Sequence, residues 1–176
     1  MDSHDFYLVY LQNKDILDDE YIYKYILDIE IKNEANGFKG INIIDKVTIN
    51  NDFLSAIYNF LIFIPNDTSD KIQTKSKYGL NYYGITILKD SQKVYNIFSS
   101  IYNIFKDTED FMYMCVNGNT QLLTTENYNY IVNNNFDRKE NYEKIYRNDI
   151  LHILSKMKEF SLKIKDDNLY IIHLGI

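Results

Sequence analysis

Apolar residues recur at helical spacing in residues 91–106. Val94, Ile97, Phe98, Ile101, Tyr102, Ile104 and Phe105 fall at i, i+3, i+4, i+7 and i+8, the stripe of a helix that buries one face. Ser91 or Asp90 is placed to cap its first turn, where a short side-chain oxygen accepts from unpaired backbone N–H groups. Just before it, residues 82–88 are short, aromatic and β-branched, as strands are. Gly84 within them points to a bulge or a close backbone approach. Residues 78–110 therefore read as a central strand, a tight turn and the helix that covers the strand.

The same reading extends along the chain. Residues 6–11 (FYLVYL) predict a first strand and 15–20 an acidic loop. Residues 21–32 alternate with period two, which favours a strand from Ile26, although a short helix over 18–27 also fits. Asn36-Gly37 is a turn dipeptide, because both residues tolerate positive φ. Residues 38–49 then return as one strand or two. Residues 52–62 predict a helix capped by Asn51 or Asp52, with Phe53, Ile57, Phe60 and Leu61 inward. Residues 65–77 are polar, carry the only proline and predict a loop.

After the 78–110 unit, residues 111–116 predict a strand and Asn117-Gly118-Asn119 a turn. Residues 120–135 fit no single pattern. Residues 137–164 predict the longest helix. Asp137 and Glu140 have capping-box spacing, and Glu140/Lys144, Glu143/Arg147 and Glu159/Lys163 are i, i+4 pairs in the favourable order. Ile145, Ile150, Leu151, Leu154, Met157, Phe160 and Ile164 supply its apolar face. A turn at 166–168 leads into the apolar strand 169–174 (LYIIHL). The fold expected is α/β or α+β, a single globular domain over residues 1–176. Its mixed sheet has five or more strands, covered by about three helices near 52–62, 91–106 and 138–164.

Composition narrows the class. A chain of 176 residues buries about 70% of its unfolded surface and needs neither disulfide nor metal to be stable. Its single cysteine, Cys115, excludes an internal disulfide, fits a reducing cytosol and sits in an apolar run where a buried thiol is expected. No run approaches the roughly 18 apolar residues of a membrane span, and the acidic start lacks the pattern of a secretory signal. The expected location is cytoplasmic. A net charge of -6 opposes nonspecific nucleic-acid binding, which needs a cationic surface. Residues 1–34 hold nine acids and three lysines, so the acidic excess concentrates there.

Catalytic signatures are missing from the sequence. His4, His152 and His173 form no HxxxH or HExxH pattern, no CxxC is present, and no cofactor or metal is expected. No GxSxG elbow and no glycine-rich phosphate loop occurs. His152 on the long helix and His173 in the last strand could meet if those elements pack together. The acid clusters at 18–20, 107–110 and 166–167 read first as solvated turns and caps. Interleaved with tyrosines, they also suit a basic protein partner, because opposite charge steers encounter and tyrosine supplies contact area at low entropic cost.

The run GLNYYGITIL with its following amphipathic helix, together with the terminal IIHLGI, resembles the layout of small bacterial immunity proteins from polymorphic toxin systems. The resemblance covers residues 79–105 and 171–176. It implies a cytosolic single-domain protein that binds and blocks a cognate toxin, often through an acidic face when the toxin is a cationic nuclease. The leading expectation is a non-catalytic inhibitor whose acidic, tyrosine-bearing surface occludes a basic toxin or effector. Its candidate contacts are Asp18, Asp19, Glu20, Asp107, Glu109 and Asp110. The alternative is a small hydrolase or nucleotide-modifying enzyme using scattered carboxylates with His152 or His173. A third reading is a subunit that self-associates through exposed strand edges.

Overall fold

The computed structural model describes residues 3–12, 24, 41–66, 77–115, 121–134 and 136–175. Among them the chain is mixed α/β, with two antiparallel sheets and four α-helices. Strands β1 (Ser3–Leu11), β2 (Ile41–Asn50), β3 (Ile85–Leu88) and β7 (Leu169–Leu174) form one sheet in the order β2-β1-β7-β3. Strands β4 (Phe111–Cys115), β5 (Leu122–Leu123) and β6 (Tyr142–Tyr146) form the second, in the order β5-β4-β6. The helices are α1 (Asn51–Leu61), α2 (Ser91–Phe105), α3 (Thr125–Asn133) and α4 (Arg147–Lys163).

This differs from one mixed sheet of five or more strands. Every strand pair among the described residues is antiparallel. The centre of the larger sheet is β1 and β7, whose side chains are buried on both faces, and β3 lies at its edge. The aromatic pair Tyr82-Tyr83, expected in β3, lies in the turn before it. The close approach expected at Gly84 is real: its carbonyl accepts from the Gly175 N–H at 2.8 Å. Gly175 is the residue that needs the space, because a Cβ there would sit 1.9 Å from the Tyr82 carbonyl oxygen.

One apolar cluster ties the two sheets together. Phe6 and Leu8 of β1, Met112 and Met114 of β4, and buried faces of α1, α2 and α4 all contribute to it. Helices α2 and α4 pack against each other, with Phe98 and Ile101 on one and Leu154, Met157 and Phe160 on the other fully buried. Tyr7, Val9, Ile85, Ile87, Tyr170 and Ile172, on the opposite face of the larger sheet, form a second cluster. Cys115 is buried, as expected.

Two helix starts follow short polar caps. The Asn50 side chain accepts from the Asp52 and Phe53 N–H groups and caps α1, one residue earlier than expected. Asp90 caps α2 through the Lys93 N–H. Phe60, expected inward on α1, is 44% exposed.

The long helix begins ten residues late. Asp137 does not open a capping box. Its carboxylate accepts from the Arg138 N–H, the Asn141 side-chain amide and the Tyr142 hydroxyl, which closes a loop and a short 3-10 turn at Lys139–Asn141. Residues 142–146 (YEKIY) then alternate as β6, with Ile145 packed on the core. Arg147 pairs with Asp110 rather than Glu143. Glu159 and Lys163 form their expected ion pair at 2.6 Å. Residues 125–133, left open by the sequence, are α3, capped by Thr124. The expected features at 15–20 and 36–37, all of 21–32 but Lys24, most of 65–77, and the turn at 117–119 lie outside the described residues.

Candidate functional site

The small sheet presents an aromatic outer face. Its register sets Phe111 opposite Tyr146 and Tyr113 opposite Lys144. Strand alternation sends Met112, Met114 and Ile145 to the core, where they are packed. It leaves Phe111, Tyr113, Tyr142, Lys144 and Tyr146 on the other side. Helix α3 lies along that side: Tyr113 stacks on Tyr128 at 3.6 Å between ring centres, and Tyr142 meets Tyr128 edge-on at 5.5 Å. Burial first, then the hydrogen bond to Asp137, pushes the Tyr142 phenol up to about 12. Lys144 Nζ stands 3.4 Å from the Phe111 ring centre. Tyr146 is 52% exposed, and Tyr130 of α3 and Phe136 after it are more so.

Three of the six acids chosen from the sequence border this face. Asp107, Glu109 and Asp110 are all exposed on the segment leading into β4. Two of them have internal partners. Glu109 accepts from both the backbone N–H and the hydroxyl of Thr125 at the start of α3. Those two bonds, the hydroxyl's first, hold its carboxyl below the usual range. Asp110 receives Arg147 Nη2 at 2.6 Å, while Arg147 Nη1 binds the Thr108 carbonyl. With Arg147, Lys106 and Lys144 nearby, the trio does not make a strongly negative patch. Asp18, Asp19 and Glu20 lie outside the described residues.

The histidines form a different arrangement from the expected one. His152 is exposed on α4, and His173 is fully buried. His173 meets His4 instead, with Nε2 of His173 3.0 Å from Nδ1 of His4. His4 Nε2 lies 3.0 Å from Asn51 Oδ1, which also accepts from the Tyr82 hydroxyl; Ser55 Oγ lies 2.5 Å from that hydroxyl. Asn51 Oδ1 can only accept, so His4 carries a proton on Nε2. One proton lies between His4 Nδ1 and His173 Nε2. The other ring nitrogen of His173, Nδ1, is buried and has no hydrogen-bond partner among the described residues. Burial, then the electrostatic effect of the neighbouring His4, lowers His173 to about 3.

Nothing in the sequence marks His4. Its signal is the pairing of two strands 169 residues apart, which no local spacing encodes. Asp5, next to it, points to the other face, where it is buried with Lys46 Nζ at 2.8 Å and the Thr48 hydroxyl at 2.6 Å. Among the described residues no three His, Cys, Asp or Glu side chains converge as a metal-binding set. No described helix is long and apolar enough to cross a membrane. A groove of about 340 Å³ lies along Tyr58, Ile62, Tyr78 and Leu80. No protein-family model, curated protein or solved structure matches the chain.

Proposed function

We propose that the protein is a non-catalytic binding protein that inhibits a basic toxin or effector protein, and that the outer face of the small sheet is its contact surface. The observation that supports this is the aromatic face itself. Phe111, Tyr113 and Tyr146 lie on paired strands, Tyr146 is open to solvent, and Tyr130 of α3 and Phe136 form a second exposed aromatic pair. Aromatic anchors on a rigid scaffold are what binding hot spots consist of, and they lose little conformational freedom on binding.

The acidic contribution is long-range. Asp107, Glu109 and Asp110 sit beside cations, so they act less as a patch than as part of a net charge of -6 that steers a basic partner. Glu109 also holds α3 in place, and α3 carries Tyr128 against the face. Cytoplasmic location belongs to the same reading. The enzyme alternative draws less support: it relied on His152 or His173, and His173 is neutral and wholly buried.

The test is capture from the native host with a tagged chain, identification of the captured protein, and measurement of binding between purified components. Expected is binding that blocks the partner's activity, weakens tenfold or more with Tyr146→Ser/Phe111→Ser, and weakens with rising salt. A partner that binds this double variant as tightly as the parent removes the aromatic face from the reading. A partner whose activity the chain does not affect removes inhibition.

A further inference from the structure

Among the described residues β6 has no strand on its outer side, and we propose that the protein docks its partner by strand addition there. An antiparallel ladder alternates between residue pairs that exchange backbone hydrogen bonds and pairs that do not. The Arg147 N–H donates to the Asp110 carbonyl at 2.9 Å, one step beyond the Phe111/Tyr146 pair. Asp110/Arg147 is therefore a bonded pair, and bonding recurs at Met112/Ile145 and Met114/Glu143. The other side of β4 agrees: the Cys115 N–H donates to the Gln121 carbonyl at 3.0 Å, so Cys115 and Tyr113 aim their backbones at β5. On β6, Glu143 and Ile145 turn their backbones to β4, while Tyr142, Lys144 and Tyr146 turn theirs outward.

Two of the outward groups are already used. The Tyr142 N–H binds the Lys139 carbonyl, and the Tyr146 carbonyl faces the first turn of α4, whose N-cap it is. The Tyr142 carbonyl, both backbone groups of Lys144 and the Tyr146 N–H remain. Among the described residues they have no partner. They form one full repeat of a ladder, with both Lys144 groups set to pair with a single residue of an incoming antiparallel strand. The side chains of Tyr142, Lys144 and Tyr146 lie on the aromatic face, so an added strand extends that face and places its own side chains beside them.

Charge selects the occupant. Full overlap of β6 on a second copy, Tyr142 against Tyr146, would set Lys144 directly opposite Lys144, and like charges so placed repel. The occupant is an extended segment of a different protein. It carries a carboxylate opposite Lys144 and an apolar side chain two positions to either side, beside Tyr142 and Tyr146. This deepens the reading above, on which it rests for the identity of the partner-facing side.

A displayed library of linear peptides, panned against the purified full-length chain, supplies the probe. Selected peptides should show the acidic residue between two apolar ones. On binding they should slow hydrogen exchange at the Lys144 and Tyr146 amides, and leave Glu143 and Ile145, already bonded to β4, nearly unchanged. Lys144→Pro deletes the outward N–H at an edge position where proline is tolerated and should weaken binding about tenfold or more. Lys144→Arg should bind as the parent does.

Any of four results overturns the proposal: no peptide selected, protection falling elsewhere, unchanged binding by a folded Lys144→Pro variant, or dimers in solution with these amides already protected. The exchange measurement uses the parent chain, so it decides even if the proline variant does not fold. A captured partner lost with Tyr146→Ser/Phe111→Ser but kept with Lys144→Pro would leave the face reading standing and sink strand addition.

Discussion

Nε2 of His173 lies 3.0 Å from Nδ1 of His4, joining β7 to β1 through two imidazoles with no exposure. A charged His173 would carry N–H groups on both ring nitrogens, and Nδ1 has no acceptor among the described residues. Its folded-state value, about 3, lies below the ordinary 6.5 that the unfolded chain shows. Below pH 6.5 the unfolded state takes up a proton that the folded state refuses, so stability falls as the pH drops towards 3. Between pH 7 and pH 5 the expected loss is about 2 kcal/mol. The carboxylates of Asp45, Glu109 and Asp137 are lowered from ordinary values of 3.8 to 4.5. Their stability is present above those values and is lost at lower pH, outside this window. Urea unfolding at the two pH values checks the prediction. His173→Leu should flatten the slope while lowering stability at pH 7, and a slope that survives it would locate the effect elsewhere.

The opposite face of β1 holds a second polar relationship. Asp5 is 5% exposed at its side chain and Lys46, its ion-pair partner, 39%. The asymmetry sets which removal costs more. Without Asp5, the Lys46 ammonium can move into water. Without Lys46, a buried carboxylate keeps only hydroxyl partners such as Thr48 and Tyr7. Lys46→Met should therefore cost about 3 kcal/mol and Asp5→Asn about 1 kcal/mol. Denaturant midpoints of the two variants compared with the parent decide it; the reverse order would mean that water reaches Asp5.

Periodicity made the helices at α1 and α2 legible, because Phe53, Ile57 and Leu61 or Val94, Phe98, Ile101 and Phe105 repeat on one face. It also located β1 and β7. It misread residues 137–146, where Asp137 and Glu140 mimic a capping box and Glu140 and Lys144 mimic a helical pair. The competing signal was the aromatic alternation Tyr142, Lys144, Tyr146, completed only by pairing with β4. Sheet order was not legible: the four residues of β3 are all buried, as a central strand's would be, yet among the described residues β3 is the last strand of its sheet. The acids at 107–110 were found as residues, but their partners Thr125 and Arg147 lie 16 and 37 positions away. The histidine pair was invisible for the same reason. Contacts made across strands are set by topology, and local spacing carries no record of them.

Glu109 separates a structural role from a binding role. Its carboxylate holds the first residue of α3, and Tyr128 of α3 stacks on Tyr113. Glu109→Ala should speed hydrogen exchange in the first turn of α3 without changing exchange in α2 or α4. Asp107→Ser, with no partner among the described residues, should leave exchange everywhere unchanged. If Glu109→Ala leaves the α3 amides as protected as before, Thr124 alone suffices as the cap and the Glu109 bonds are incidental.

The core between α2 and α4 sets the scale for all of these effects. Leu154 is fully buried and belongs to the cluster shared by both sheets. Leu154→Ala removes three heavy atoms from a fully buried site in the cluster that Phe98, Ile101 and Phe160 share, where large side chains held on helices cannot easily collapse into the space. The expected loss is about 3 to 4 kcal/mol, a large share of the roughly 5 to 15 kcal/mol that holds a domain folded. Ile104, on the same α2 but 49% exposed, provides the contrast: Ile104→Ala should cost under about 1 kcal/mol. Thermal unfolding of the pair of variants tests the assignment of the helix faces. Equal losses would mean that α2 is rotated about its axis from the orientation in which Val94, Phe98 and Ile101 face α4.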